Sequence, residues 1–221
     1  MHRNYEPKKP NDLETSGTVI HWDPRHDFFQ RLLGMGVDGS NSRMIMEMAR
    51  VKAGDRVLDV GCGTGELTLT AQIHAGEAGC AYGIDPSAEG IELARKKAKR
   101  SGSKAVFEVG LVEKIAYPEA DFDLVINRLV IHHLPDDLKR QGLKEILRVL
   151  KPGGKLFIAD FRPPVNPILA HATLAVVGHR MMQTDVRHLP AMLSEAGFVE
   201  VDFGRTGSPF LGYVSGIKPG G

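Results

Sequence analysis

The stretch Arg56 to Thr70 reads RVLDVGCGTGELTLT, and the fold turns on how it is read. Val57-Leu58-Asp59-Val60 is an apolar run holding one acid. Three glycines then alternate, Gly61, Gly63 and Gly65. Leu67 and Leu69, then Ala71 and Ile73, follow in a helical stretch. Strand, glycine loop and helix is the order this predicts. Glycine serves where backbone turns with positive φ, or where a ligand lies on main chain with no Cβ between. The loop is therefore expected to be the floor of a small-molecule site. A plain tight turn is the competing reading.

Outward from this stretch the chain alternates. Ala81 to Ile84 reads as a short strand. Ser87 caps a helix that runs to about Arg100. Ala105 to Val109 is a third strand and Phe122 to Asn127 a fourth. A helix starts at Asp136, with Leu143, Ile146, Leu147 and Leu150 at helical spacing. Lys151-Pro152-Gly153-Gly154 reads as a sharp turn before a fifth strand, Lys155 to Asp160. A helix over about Asp185 to Ala196 and two strands, Val199 to Phe203 and Phe210 to Ile217, close the chain, the last two as an antiparallel hairpin at a sheet edge. Strands alternating with helices predict a parallel sheet covered on both faces. The fold class is α/β, a Rossmann-like three-layer αβα sandwich.

Residues 1–18 are polar and read as a mobile arm; residues 19–221 read as one domain. Asp23 and Pro24 start a helix to about Leu33. A second helix from Ser40 or Asn41 spaces Met44, Ile45, Met48 and Ala49 for one buried face. Residues 161–183 break the rhythm, with Pro163, Pro164 and Pro167 before an apolar run from Ile168 to Val177. The segments 19–50 and 161–183 are the expected substrate cap.

Composition narrows the function. The chain has 221 residues, 42% hydrophobic and 25% charged, as in a globular domain with a core. A net charge of +1 gives no field to recruit nucleic acid or anionic membrane. The basic run Arg95 to Arg100 reads as a solvated helix face. The two cysteines, Cys62 and Cys80, build no disulfide framework and no CxxC metal site; no metal is expected. No signal peptide or membrane-spanning run is visible, so a cytoplasmic setting is expected.

The loop's charge selects its ligand. A dinucleotide site favours G-x-G-x-x-G, with pyrophosphate on the helix N-terminus. Here the pattern is G-x-G-x-G-E, and Glu66 opens the helix. Asp59 precedes the first glycine. Two carboxylates suit a cation, and S-adenosylmethionine (SAM) carries both an ammonium and a sulfonium. Asp85, some twenty residues past the loop and followed by Pro86, is placed to take ribose hydroxyls. The third strand ends at Gly110-Leu111-Val112-Glu113 and the fourth at Asn127-Arg128. All converge on one crevice, as strand ends do in such sheets.

VLDVGCGTG, GIDPS, FDLVINRLVIHHL and LKPGGKLFIADF, in this order and spacing, resemble the class I SAM-dependent methyltransferases. More closely, they resemble the branch (methyltransferase type 11) that includes the ubiquinone and menaquinone biosynthesis C-methyltransferases. The resemblance spans about Trp22 to Phe203. It implies a seven-stranded, mostly parallel sheet with an antiparallel last strand. It implies that Asp59, Gly61, Cys62, Gly63 and Gly65 hold the methionyl part of SAM, and that Asp85 and Pro86 hold the ribose. Leu111 and Val112 fall beside the adenine, where many relatives carry a polar residue instead of Leu111. Asn127 and Arg128 complete the cofactor set, with S-adenosylhomocysteine as product. The acceptor is expected to be small and apolar or aromatic, like a quinone precursor. His132 is the expected catalytic and pocket-lining residue, and His133 a scaffold residue. His21, Trp22 and His171 are the remaining substrate-side candidates. No nucleic-acid partner and no integral membrane segment are expected; peripheral membrane contact and a monomer or homodimer are. A SAM-binding sensor or assembly protein without turnover is the alternative, and a nicotinamide dehydrogenase the third reading.

Overall fold

The computed structural model describes residues 39–166 and 185–220. The helix expected from Asp23, the apolar run from Ile168, and His21, Trp22 and His171 lie outside them. The elements are α1 (Gly39–Ala49), β1 (Arg56–Val60), α2 (Glu66–Ala75), β2 (Cys80–Asp85), α3 (Ala88–Ser101), β3 (Val106–Val109), β4 (Phe122–Arg128), α4 (Asp136–Val149), β5 (Leu150–Phe161), α5 (Leu189–Ala196), β6 (Val199–Arg205) and β7 (Leu211–Ile217). Short 3-10 turns at Ile131–His133 and Val186–His188 precede α4 and α5.

The seven strands form one sheet in the order β3-β2-β1-β4-β5-β7-β6. β3, β2, β1, β4 and β5 pair in parallel, while β7 runs antiparallel to both β5 and β6. The expected sheet and its antiparallel last strand are both present, with β7 inserted inside β6 rather than outermost. Strand order reverses between β1 and β4. That is where neighbouring crossovers part and leave a crevice above the carboxyl ends.

Period two assigns the faces. Val57 on β1, Leu124 and Ile126 on β4, and Phe157 on β5 pack with Ile45, Met46 and Ala49 of α1 and Leu67 and Ala71 of α2. Leu58, Val125 and Ile158 point the other way, to Leu143 and Ile146 of α4 and Leu189 and Leu193 of α5. The deepest stripe of α1 is Ser42, Ile45, Met46 and Ala49. Met44 and Met48, expected on that face, are half-buried flanks.

The sharp turn expected at 151–154 is absorbed into β5. Phe122 pairs with Leu150 but Leu124 with Lys155, so one residue of β4, Asp123, faces four of β5, residues 151–154. The turn-forming residues become a bulge, bonded at Gly153 and Gly154 to Lys218. β6 is an edge strand. It exposes Val199 and Phe203 but also carries Glu200, Asp202 and Arg205, charges that discourage edge pairing.

Candidate active site

The carboxyl end of β1 runs straight into the glycine loop. Gly61 has φ +76°, and a Cβ there would lie 2.2 Å from a Val130 methyl. Gly61 therefore admits the segment after β4 over the loop. Gly65 has φ +84°, and a Cβ there would collide with Phe107 of β3 and Ala94 of α3. Its missing side chain lets β3 and α3 pack against the loop. Gly63 differs, because a Cβ on it would meet nothing within 4 Å. The open face of the loop is centred there.

Asp85 ties the loop to β2. Its Oδ2 accepts from Gly63 N–H at 2.9 Å, and its Oδ1 from Ser87 N–H at 2.9 Å. The Gly61 and Cys62 N–H groups both donate to the Ile84 carbonyl. Each carboxylate oxygen can accept more than one hydrogen bond, so holding the loop is compatible with receiving ribose hydroxyls. Ser87 then caps α3, its hydroxyl accepting from Gly90 N–H. Pro86 is half-buried between them.

Asp59 shares Val57's face and so points beneath α2. Thr68, in the first turns of that helix, donates its hydroxyl to Asp59 Oδ2 at 2.7 Å. The carboxyl is 1% exposed. Burial pushes its pKa up; the Thr68 hydrogen bond and the charge of Arg128 oppose this, Asp85 adds to it, and the result is about 7. Asp59 thus sits behind the loop, its carboxyl held by Thr68 beneath α2. Cys62 is buried beside Gly83, and burial, then Asp59 and Asp85, push its thiol well up. It is a packing group and not a nucleophile.

Asn127, at the end of β4, is fully buried. Its Nδ2 donates to the Val60 carbonyl at 2.8 Å, which fixes the amide's orientation. Its Oδ1 is buried and has no hydrogen-bond partner among the described residues. A buried acceptor left unmade is costly, so this oxygen is suited to a donor from a ligand. Arg128 is half-buried within electrostatic reach of Asp59.

Leu111 is half-buried in a turn closed by its bridge to Lys114. Val112 is packed in the core against Gly142 of α4. Its side chain is committed to the core, while Leu111 remains half-buried at the turn. His132 is 5% exposed and bonded to Asp160 of β5, Nδ1 to Oδ1 at 2.8 Å. The His133 ring lies against it, centroids 3.9 Å apart.

The charge logic of Glu66 changes. Lys97 of α3 donates to Glu66 Oε1 at 2.5 Å and to Thr64 Oγ1 at 2.8 Å. Glu66 is paired, so the loop's negative character comes from Asp59 and Asp85. Thr68, Val130 and Asp160 escaped the sequence reading. Asp160 had a legible signal, a lone acid inside the apolar strand FIADF; Thr68 and Val130 had none.

Residues 51–197 match the model of a family described as a methyltransferase domain. The chain is 33% identical over 148 residues to a demethylmenaquinone methyltransferase of Lactobacillus johnsonii, a match covering 66% of this chain and 60% of that protein. It is 33% identical over 150 residues to a ubiquinone/menaquinone biosynthesis C-methyltransferase of Geotalea daltonii, covering 67% and 63%. The matches thus span about six-tenths of these relatives' lengths. Among solved structures, a SAM dependent methyltransferase from Aquifex aeolicus superposes with a TM-score of 0.69 at 23% identity, covering 90% of this chain and 100% of that one. That likeness concerns the fold.

Proposed function

Because the chain belongs to the methyltransferase domain family, we propose that it transfers a methyl group from SAM to a small apolar or aromatic acceptor. The observation that carries this reading is the polar set at the carboxyl ends of the strands, formed by the Asp85 carboxylate, the Asp59 carboxyl behind the loop and the Asn127 Oδ1 that lacks a partner among the described residues. The residues fit the cofactor on two counts. The orphaned amide oxygen asks for a donor, which an ammonium supplies. The open side of Gly63 is a cradle that a Cβ would fill.

In this reading Asn127 receives the cofactor's ammonium, and Asp59 favours its positive charge from behind the loop. Asp85 takes the ribose, Leu111 covers the adenine, and Cys62 and Arg128 pack around the methionyl end. When bound, SAM supplies an electrophilic methyl on sulfur and leaves as S-adenosylhomocysteine. The chain's own contribution is alignment and exclusion of water, which is worth roughly 7–11 kcal/mol in well-oriented reactions.

The acceptor reading draws on the relatives, whose names refer to demethylmenaquinone and to ubiquinone and menaquinone biosynthesis. A quinone precursor is the proposed class. Residues 161–183 follow directly from the carboxyl end of β5, and 19–50 lead into α1. Both are proposed to cap the acceptor, with His21, Trp22 and His171 facing it. No described helix is long and apolar enough to cross a membrane; a cytoplasmic protein with peripheral membrane contact, monomeric or homodimeric, fits the proposal. The +1 net charge supports a small-molecule acceptor over nucleic acid.

Calorimetric titration with S-adenosylhomocysteine tests the cofactor. Saturable binding is expected, and none at millimolar ligand overturns it. Methyl transfer from labelled SAM to a reduced short-chain demethylmenaquinone tests the acceptor class.

A further inference from the structure

Period two places Val125 and Asn127 of β4 on one sheet face, with Ile158 and Asp160 of β5 beside them. Asp160 is 0% exposed. A carboxylate so placed needs partners, and both of its oxygens have them. Phe161 N–H donates to Oδ1 at 2.6 Å and His132 N–H to Oδ2 at 3.3 Å, while His132 Nδ1 lies 2.8 Å from Oδ1. Burial pushes this carboxyl up, but His132 and the Phe161 N–H outweigh it and hold the group below its ordinary value. An ionised carboxylate only accepts. Nδ1 must therefore carry a proton, and whenever the ring is neutral its lone pair is on Nε2.

The segment that carries His132 also touches the glycine loop. Val130, two residues before His132, occupies the space that a Cβ on Gly61 would need. Asn127, with its orphaned oxygen, precedes His132 by five residues on the same segment. Among the described residues, the titratable groups against His132 include Asp160 from β5 and His133 from its own turn.

We infer that Asp160 is the positioning residue of a proton-removing pair, in which His132 Nε2 takes a proton from an acceptor that must lose one from carbon, such as a hydroquinone ring. The inference rests on the methyl-transfer reading above. In the step, an electron pair of the ring carbon forms the bond to the methyl carbon, and the carbon–sulfur pair stays with sulfur. The ring C–H proton passes to Nε2, and its bonding pair restores the aromatic ring. The resulting imidazolium faces the Asp160 carboxylate and later gives its proton to water. No oxidant or reductant is required. The competing account is a staple that only pins the turn after β4 to β5.

The test compares wild type, Asp160→Asn, Asp160→Glu and His132→Gln on labelled SAM and reduced short-chain demethylmenaquinone. S-adenosylhomocysteine affinity is read in parallel. The expected result for Asp160→Asn is a kcat lower by about 100-fold, with S-adenosylhomocysteine affinity and the KM for SAM unchanged. Its acidic fall-off in kcat should move to lower pH, a change that a mere staple would not produce. Asp160→Glu should regain part of kcat. His132→Gln should lose a similar factor and the acidic limb itself. It keeps the test open if Asp160→Asn fails to bind S-adenosylhomocysteine. Full kcat in either neutral variant, on an active wild type, overturns the pair. A wild type that binds S-adenosylhomocysteine but leaves the quinol unmethylated overturns the acceptor reading, and the inference with it.

Discussion

The two ends of the sheet treat charge in opposite ways. At the amino end Arg56 is extensively paired. Its backbone N–H donates to Asp123, its guanidinium donates to Asp121 and the Tyr82 hydroxyl, and it lies 4.8 Å over the Tyr82 ring. Lys151 completes the set on Asp123 at 2.7 Å. Burial raises the Asp123 carboxyl, but Lys151 and Arg56 more than offset it and leave the group lowered. At the carboxyl end Asp59 accepts a hydrogen bond from Thr68, and its carboxyl is raised to about 7. The Asn127 amide there leaves an oxygen unmade. The amino end is finished by the chain itself. The carboxyl end leaves acceptor capacity open, and the proposed cofactor site lies there.

The largest expected effect breaks the contrast at Asp59. Its folded pKa of about 7 lies above the reference 3.8. Between about pH 4 and 7 the native chain holds a proton that the unfolded chain has lost. Stability from this group is therefore fully present below about pH 4, falls as pH rises, and is flat above about 7. The linkage amounts to about 4 kcal/mol. In urea unfolding, wild type should lose about that much stability relative to Asp59→Asn across the window. Saturating S-adenosylhomocysteine should shrink the difference, because its ammonium favours the ionised form. Proton release on binding near neutral pH should appear as buffer-dependent heat.

Asp85→Ala should come next. It removes the anchors of Gly63 and Ser87 as well as the proposed ribose contact. An affinity loss for S-adenosylhomocysteine of about 100-fold is expected, or roughly 2.7 kcal/mol. An unchanged titration would remove Asp85 from the site. Arg56→Met sharpens the contrast from the other end. Several of its bonds are part-exposed, so a stability loss of about 1–2 kcal/mol is expected. Affinity for S-adenosylhomocysteine should stay within about twofold. A larger fall in affinity would mean that the two ends are coupled.

The sheet was legible because its signals are local. Apolar runs of strand length, the Ser87 cap and the helical spacing of Leu143 and Ile146 each specify an element within a few residues. The boundaries slipped where pairing decides them, as at 151–154, where turn chemistry was overridden by partners on β4 and Lys218. The site was legible where a motif carried it, at the glycine loop and Asp85. What the reading missed were contacts across long sequence separations. Thr68 reaches Asp59 and Lys97 reaches Glu66 only once helices are docked. His132 was visible as one of a histidine pair, but its partner Asp160 is 28 residues away and one strand over. The division of labour among the three glycines depended on Phe107, Ala94 and Val130, which no loop pattern contains.

The smallest effect concerns Glu66, which lies at the carboxyl end yet is paired in the manner of the amino end. Its side chain is 43% exposed and that of Lys97 28%, so the pair is worth a few tenths of a kcal/mol after screening. As an acid in the first turn of α2 it also meets the positive end of the helix dipole, another contribution of about 0.3–1 kcal/mol at an exposed site. Glu66→Gln should therefore lower stability by less than about 1 kcal/mol. The sequence argument set Glu66 and Asp59 together against a pyrophosphate; with Glu66 paired to Lys97, the proposed reading leaves that charge to Asp59 and Asp85. Glu66→Gln should then leave S-adenosylhomocysteine affinity within about twofold, with no gain of NAD binding. If affinity instead fell as far as in Asp85→Ala, Lys97 would not be neutralising Glu66, and the negative character of the loop would extend onto α2.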